Sequence, residues 1–460
     1  MKHIIHLFAV GVAWVALNQS GVGVARAATS EIEELRAQIR ALDEKLSALE
    51  RRHEADAKLT ADAAPAVPRI TINDRGYTLA SGDAANSVRI RGLVQMDARA
   101  FSGGGGIVNN AFVLRRARLI SEGRLARNYG FQVITEFGGG GASVLDASLT
   151  VEIDPALQFK IGKFKSPVGH ELLQSDAVTF FNERSLVTNL VPNRDLGIQA
   201  SGELLDGAIN YQAGVFNGLG DGRFSTNTDF DNGKDVAGRV MFTPLLGAAE
   251  SPLQGLSLGI AGSTGRTRTA AGRTAGYRTD GQQTFFSYHA GVIADGASWR
   301  VAPQFDYRLG SFGALGEYVV STANVRPGPT GTRTALQNEA WQIATGYVVT
   351  GEASSYGGVV PRTNFDLAAG TWGALELVAR YSSLKVDAAA FPLYATAADS
   401  AREAKAFGLG FNWFLSKAVV FKADYYRTEF GLDGSAAGLP PTRVLAQDEQ
   451  VVISRFQLGF

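Results

Sequence analysis

Cysteine is absent from the 460 residues, so neither a disulfide scaffold nor a thiolate metal site is available. Histidine is scarce: five in all, of which His3 and His6 lie at the extreme N-terminus, leaving His53, His170 and His289. No metal-binding pair stands at helical spacing, and neither a G-x-S-x-G elbow nor a phosphate-cradling P-loop occurs. The glycine run in "FGGGGAS" precedes a strand pattern and not a helix, so it makes no nucleotide site. Past the N-terminus there is no apolar run of about 18 residues or more, which excludes a helical membrane protein. Charge of one sign is lacking too, because 44 basic residues meet 44 acidic ones. Nothing in that balance points to nucleic acid. With 10% aromatic and 19% charged residues, extended disorder is also excluded.

What is present starts with "MKHIIHLFAVGVAWVAL", a basic start followed by an apolar stretch, and then small residues ending in Ala25, Arg26 and Ala27. Residues 1–27 are expected to be an export signal, the competing reading being an anchor that stays attached. In residues 28–64, Ile32, Leu35, Ile39, Leu42, Leu46 and Leu49 step by three and four, a heptad seam. With Ile32 at position a, Lys45 falls at g and Glu50 at the following e, a favourable pair for parallel strands. So narrow a seam predicts an α-helical coiled coil, an alternative being a single helix lying on a domain. Pro65 and Pro68 then break the pattern.

From Ser87 onward the period is two. "SVRIRGLVQMDARAF" sets Val88, Ile90, Val94, Met96 and Ala98 against Arg89, Arg91, Gln95, Asp97 and Arg99. The chain closes in the same manner: Phe456, Leu458 and Phe460 share one parity, Arg455, Gln457 and Gly459 the other. Turns such as "DPA", "LLDG" and "FLSK" alternate with long polar loops. A soluble sandwich would not place arginines and acids at strand centres, whereas a water-filled lumen would. Residues 65–460 are therefore expected to form a 16-stranded antiparallel transmembrane β-barrel of the outer membrane, all-β, whose last strand pairs with its first. Boundaries near 282–298 and 350–371 are left open by the pattern.

"FVLRRARLISEGRL", "ITEFGGG", "IGKFKSPVGHELLQS", "FNERSL", "LVPNRDLGIQASGEL", "FGALGEYV", "YVVTGE" and "GALELVARYS" occur in that order. Together they resemble the phosphate-selective porins of the O and P type. The resemblance implies a homotrimeric channel in a Gram-negative outer membrane, an inward-folded third long loop, and arginines that draw small anions through. It also implies that constriction arginines stand in the "RRAR" stretch and in a later loop, which transfers to Arg115, Arg116, Arg266 and Arg268. Strict alternation would turn Arg115 outward.

The long loop runs from Lys165 to Asp195, far beyond an ordinary connection. Its Phe180, Phe181, Leu186 and Leu190 are too apolar for water, so it is expected to fold into the lumen or to pack on a neighbouring subunit. Guanidinium suits an anion path because it stays charged, offers a donor fork and is weakly hydrated. The path residues expected are Arg89, Arg91, Arg99, Arg115, Arg116, Arg118, Arg124, Lys163, Lys165, Arg184, Arg194, Arg266, Arg268 and Arg273. Asp97, Glu122, Glu136 and Glu152 share the lumen parity and would balance part of that charge. The function expected is passive uptake of small anions, phosphate or polyphosphate, the alternative being general diffusion with little anion preference. No enzyme, cofactor or metal site is expected; a barrel phospholipase using His170 or His289 with a nearby serine is the one enzymatic reading. The other partner is outer-membrane lipid. The N-terminal coil would hang in the periplasm, either driving assembly or spacing the barrel from another envelope layer.

Overall fold

A computed structural model describes residues 37–54, 67–74, 76–102, 109–222, 227–229, 231–268, 274, 276–431 and 448–460. The export-signal segment, Ile32, Leu35 and most of the linker lie outside these residues. The chain divides into a unit ending at Val67 and a second running from Pro68 to Phe460. Of the first unit, α1 (residues 37–54) is a helix with Ile39, Leu42, Leu46 and Leu49 all more than half exposed. The helix is present; a coil partner is not part of the single chain.

The second unit begins with a hairpin, β1 (Arg69–Asn73) and β2 (Gly76–Ala80). Then follow β3 (Ser87–Phe101), β4 (Ala111–Leu125), β5 (Tyr129–Glu136), β6 (Ser143–Asp154), β7 (Leu157–Lys165), β8 (Arg194–Leu204), β9 (Ile209–Phe216), β10 (Asp235–Phe242) and β11 (Leu256–Arg268). A small hairpin, β12 (Tyr277–Arg278) with β13 (Thr284–Phe286), sits inside the next loop. The remainder are β14 (Ile293–Leu309), β15 (Phe312–Arg326), β16 (Thr334–Val348), β17 (Ala374–Lys385), β18 (Glu403–Phe414), β19 (Val419–Gly431) and β20 (Glu449–Gly459). Strands β3–β11 and β14–β20 pair antiparallel in chain order, and β20 returns to β3 from Leu93↔Gly459 to Phe101↔Val451, closing sixteen strands. Below that seam β3 would be left with a bare edge, and β2 covers it, Tyr77 opposite Ile90 through Ala80 opposite Ser87.

Burial runs inside out. On β20 Arg455 and Gln457 are buried, whereas Phe456 and Leu458 are exposed. Only a wall with lipid outside and a polar lumen inside satisfies that pattern, so the sandwich is excluded. Two aromatic rows cross the outside of strands β15–β19. Tyr318 pairs with Trp341 and Tyr381 with Phe407 in one; Phe312 pairs with Tyr347 and Trp413 with Phe421 in the other. The rows are six residues apart along β15, β16 and β18, about 20 Å of strand. Phe460 joins the second row, its ring 6.2 Å from Tyr77 in edge contact.

Short connections cluster at one end, such as 155–156, 310–311 and 415–418, as the pattern predicts. That end is not uniformly short, however. It also carries 243–255 and 349–373, and the second contains no strand, only a bridge between Asp366 and Thr371. Its Glu352 and Ser354 are buried, because the segment turns back into the lumen.

Candidate functional site

Residues 166–193, between β7 and β8, fold into the barrel with a short helix α2 (His170–Leu173) and one 3-10 turn (Leu186–Asn189). Phe180, Phe181, Leu186 and Leu190 are all buried, as their apolarity demands. Lumenal guanidiniums cover the two phenylalanines: Arg308 stands 4.6 Å from the Phe180 ring and Arg380 stands 4.4 Å from that of Phe181. The loop crosses to the seam. Asn182 Nδ2 donates to Ile453 O at 2.9 Å, Gln457 Nε2 to Ala177 O at 2.9 Å, and Gln95 Nε2 to Asp176 O at 2.9 Å.

Two loop carboxylates gather the arginines. Asp176 is met by Arg116 at 3.1 Å and by Arg118 and Arg184. Glu183 is met by Arg115 at 2.5 Å, Arg99 at 3.1 Å and Arg455 at 3.2 Å. Burial would push the Asp176 carboxyl up, but the guanidiniums of Arg116, Arg184 and Arg118 outweigh it and hold it well below the usual range. For Glu183 burial is likewise outweighed, chiefly by Arg115, and the carboxyl stays ionised.

The inward position of Arg115 corrects the alternation. Gln95 pairs with Arg116, yet the next residue, Met96, pairs with Leu114, so Arg115 is an extra, bulged residue. A bulge opposes two residues to one and shifts parity, which lets consecutive arginines both face the lumen.

A cavity of about 650 Å³ opens above this constriction, toward the long loops. Its charged lining is Arg115, Arg116, Arg118, Arg184, Arg194 and Arg278 against Asp176, Glu183 and Asp221. Six guanidiniums thus face three carboxylates. Two smaller chambers lie toward the short turns: one of about 300 Å³ with Arg89, Glu122, Arg124, Glu152 and Lys160, and one of about 380 Å³ with His170, Arg239, Asp306 and Tyr356.

The other expected residues are distributed unevenly. Arg89 and Arg91 share Glu122, at 3.7 and 2.9 Å, and Arg124 pairs with Glu152 at 2.9 Å. Arg118 also holds Glu136 at 2.7 Å, and Arg194 holds Asp146 at 3.1 Å. Lys163 donates to Asn227 at 2.7 Å, and Lys165 to Gln174 O at 2.8 Å, so Lys165 fastens the loop. Arg266 and Arg268 are not brought to the lumen. Strand β11 continues through them, and they share the exposed parity of Leu258 and Ile260. Arg273 lies outside the described residues.

Sequence reasoning missed Lys160, Arg239, Arg300, Arg308, Arg380 and Lys422, all charged and turned inward, and left Arg455 out of the path although it stands on the polar parity of the last strand. For Lys160 a signal existed, since it shares the inward parity of Gln158 in "LQFKIGK". His170 Nε2 lies 3.2 Å from Asp306 and its Nδ1 2.8 Å from Arg239 Nη2, while His289 Nε2 lies 3.2 Å from Pro392 O. Among the described residues neither imidazole is hydrogen-bonded to a serine hydroxyl.

A family model, phosphate-selective porin O and P, matches residues 88–460, and the chain belongs to that family. It is accordingly an outer-membrane porin, a channel protein by family and fold. The outer membrane channel DcaP of Acinetobacter baumannii is similar in fold, with a TM-score of 0.52 at 10% identity, covering 82% of this chain and 98% of that one. OmpT of Vibrio cholerae, in a trimer form, aligns at 12% identity with a TM-score of 0.49, over 81% of this chain and 99% of that one. OprB of Pseudomonas putida aligns at 10% identity with a TM-score of 0.47, over 82% and 95%. The curated protein sequences gave no match.

Proposed function

We propose that this phosphate-selective porin family member conducts small anions, phosphate or polyphosphate among them, past the arginines around Asp176 and Glu183. The observation that carries the reading is the lining of the large cavity, with six guanidiniums against three carboxylates, Glu136 and Asp146 meeting Arg118 and Arg194 from behind it. Such an excess attracts anions while the intervening carboxylates keep any single site from becoming too tight to leave. Path residues in this reading are Arg115, Arg116, Arg118, Arg184, Arg194 and Arg278 in the upper chamber, then Lys160, Arg89 and Arg124 below. Arg99 and Lys165 hold the constriction loop in place, while Lys163 ties to Val144 O and Asn227.

The general-diffusion reading draws on a specific fact as well. Arg89 and Arg91 share Glu122 and Arg124 is met by Glu152, so carboxylates offset part of the lower chamber's field. The deciding experiment is the reversal potential of the reconstituted channel under a KCl gradient, repeated with millimolar phosphate. Chloride preference with partial block by phosphate is expected. A potential near zero with no block would give the protein to general diffusion.

The assembly proposed is a homotrimer with the long loops facing the cell exterior. Residues 1–27 would be removed on export. Residues 28–64, which include α1, would self-associate through the exposed Ile39, Leu42, Leu46 and Leu49 in the periplasm.

A further inference from the structure

The outward face carries charge that conduction does not use. Past the aromatic row of Tyr318, Trp341, Tyr381 and Phe407, toward the long loops, outward positions turn polar. Most of those charges are already met: Lys385 lies 3.9 Å from Glu339, Lys405 3.1 Å from Glu403, and Arg427 2.7 Å from Asp448. Arg266 and Arg268 differ. Both are exposed, and among the described residues neither guanidinium has an ion-pair partner. The Asp231 carboxylate accepts the backbone N–H of Arg268 at 2.5 Å. Thr264 pairs with the half-exposed Trp299, and Arg266 pairs with Ala297 two residues further out. The two guanidiniums therefore rise from one strand face, their Cα atoms about 7 Å apart, beyond the half-exposed Trp299.

We propose that Arg266 and Arg268 bind the phosphate of an anionic lipid headgroup in the leaflet at the long-loop end. Aromatic girdles sit where hydrocarbon gives way to headgroups, so the next outward residues along a strand stand at phosphate depth. Long arginine stems lie along apolar surface while the planar fork reaches the headgroup oxygens. The charge on this face is complementary to such a lipid and, unlike its neighbours, is not ion-paired among the described residues. The inference rests on the membrane setting that the family shows, and a channel without anion preference would leave it standing.

Native mass spectrometry of the purified protein tests it, with phosphatidylglycerol and phosphatidylcholine titrated separately. The parent should retain phosphatidylglycerol in preference. R266Q/R268Q should lower its apparent affinity for phosphatidylglycerol by roughly thirtyfold, from about one basic-residue contribution each, and leave phosphatidylcholine as before. R427Q, a charge already met by Asp448, should stay near the parent. Unchanged retention in R266Q/R268Q, or an equal loss in R427Q, would overturn the proposal. So would a double variant that breaks up the oligomer while keeping its lipid, which would make this face a contact with a second copy.

Discussion

Arg455 on the last strand grips Asp97 on the first barrel strand across 358 residues of chain, through hydrogen bonds of 2.6 and 2.8 Å between two buried side chains. The same guanidinium donates to Asn182 O at 2.5 Å and lies 3.2 Å from Glu183, so one side chain joins the seam to the constriction loop. Arg455→Met would leave the buried Asp97 with Arg99 alone, 3.1 Å away. Breaking a buried pair from one side costs about 3–5 kcal/mol, whereas replacing both partners is far milder. Heat-modifiability on gels should therefore show a lower melting temperature for Arg455→Met, largely recovered in Arg455→Met with Asp97→Leu. Equal melting of single and double variants would mean the pair adds nothing.

Asp176 is the carboxylate that balances Arg116, Arg118 and Arg184. Asp176→Asn removes one negative charge from the narrowest region while keeping the side chain's shape. A unit charge at about 8 Å in water is worth about 0.5 kcal/mol, roughly a twofold rise in chloride over potassium permeability. The gain should fade as KCl rises and the screening length shrinks to about 3 Å at 1 M. A reversal potential indistinguishable from the parent at low salt would show that these arginines do not face the ion path.

Burial pushes the Asp280 carboxyl up to about 6, despite Arg380 at 2.6 Å. Its ordinary value is 3.8, so the proton is held more tightly when the β12–β13 hairpin is docked. Docking is then strongest below pH 3.8 and weakens as pH rises through about 6. Hydrogen exchange of residues 277–286 should accelerate across that window beyond its intrinsic pH dependence. Asp280→Asn should flatten the change; a parent profile already flat would refute the assignment.

Tyr356, from the long connection at the short-turn end, stacks on His170 with centroids 5.0 Å apart and donates to His170 O at 2.8 Å. Tyr356→Ala should loosen that segment against the constriction loop and raise single-channel conductance by roughly a third or more, since conduction follows the narrowest cross-section. Planar-bilayer recordings read this directly, and unaltered conductance would place the tyrosine off the path.

Deleting Glu31–His53 should leave heat-resistant oligomers in mild detergent, held by barrel-to-barrel contacts. Truncated protein running only as monomers would make the helix the assembling element.

The wall was legible from period two alone, because lipid and water impose opposite demands on successive residues of every strand. Burial of Phe180, Phe181, Leu186 and Leu190 was legible for a similar reason: their apolarity leaves no comfortable exposed position. The bulge at Arg115 was not, since an extra residue in a ladder leaves no mark in the pattern of types. Arg266 and Arg268 were misplaced through a boundary error. They were expected in a loop, but Thr264 and Thr267 are β-branched and carry the strand on through Arg268. The carboxylate nodes at Asp176 and Glu183 lay beyond any local reading, because the residues that meet them come from four separate segments of chain.

The constriction loop reaches over to β20, the last strand to be made, and takes hold of Ile453, Arg455 and Gln457 there. A cylinder waiting for that strand would lack a wall and also the post to which its lumenal loop is tied. Sealing the membrane and limiting the traffic through it thus become a single event in the life of the molecule, so an unfinished barrel has no way to stand as a narrow pore.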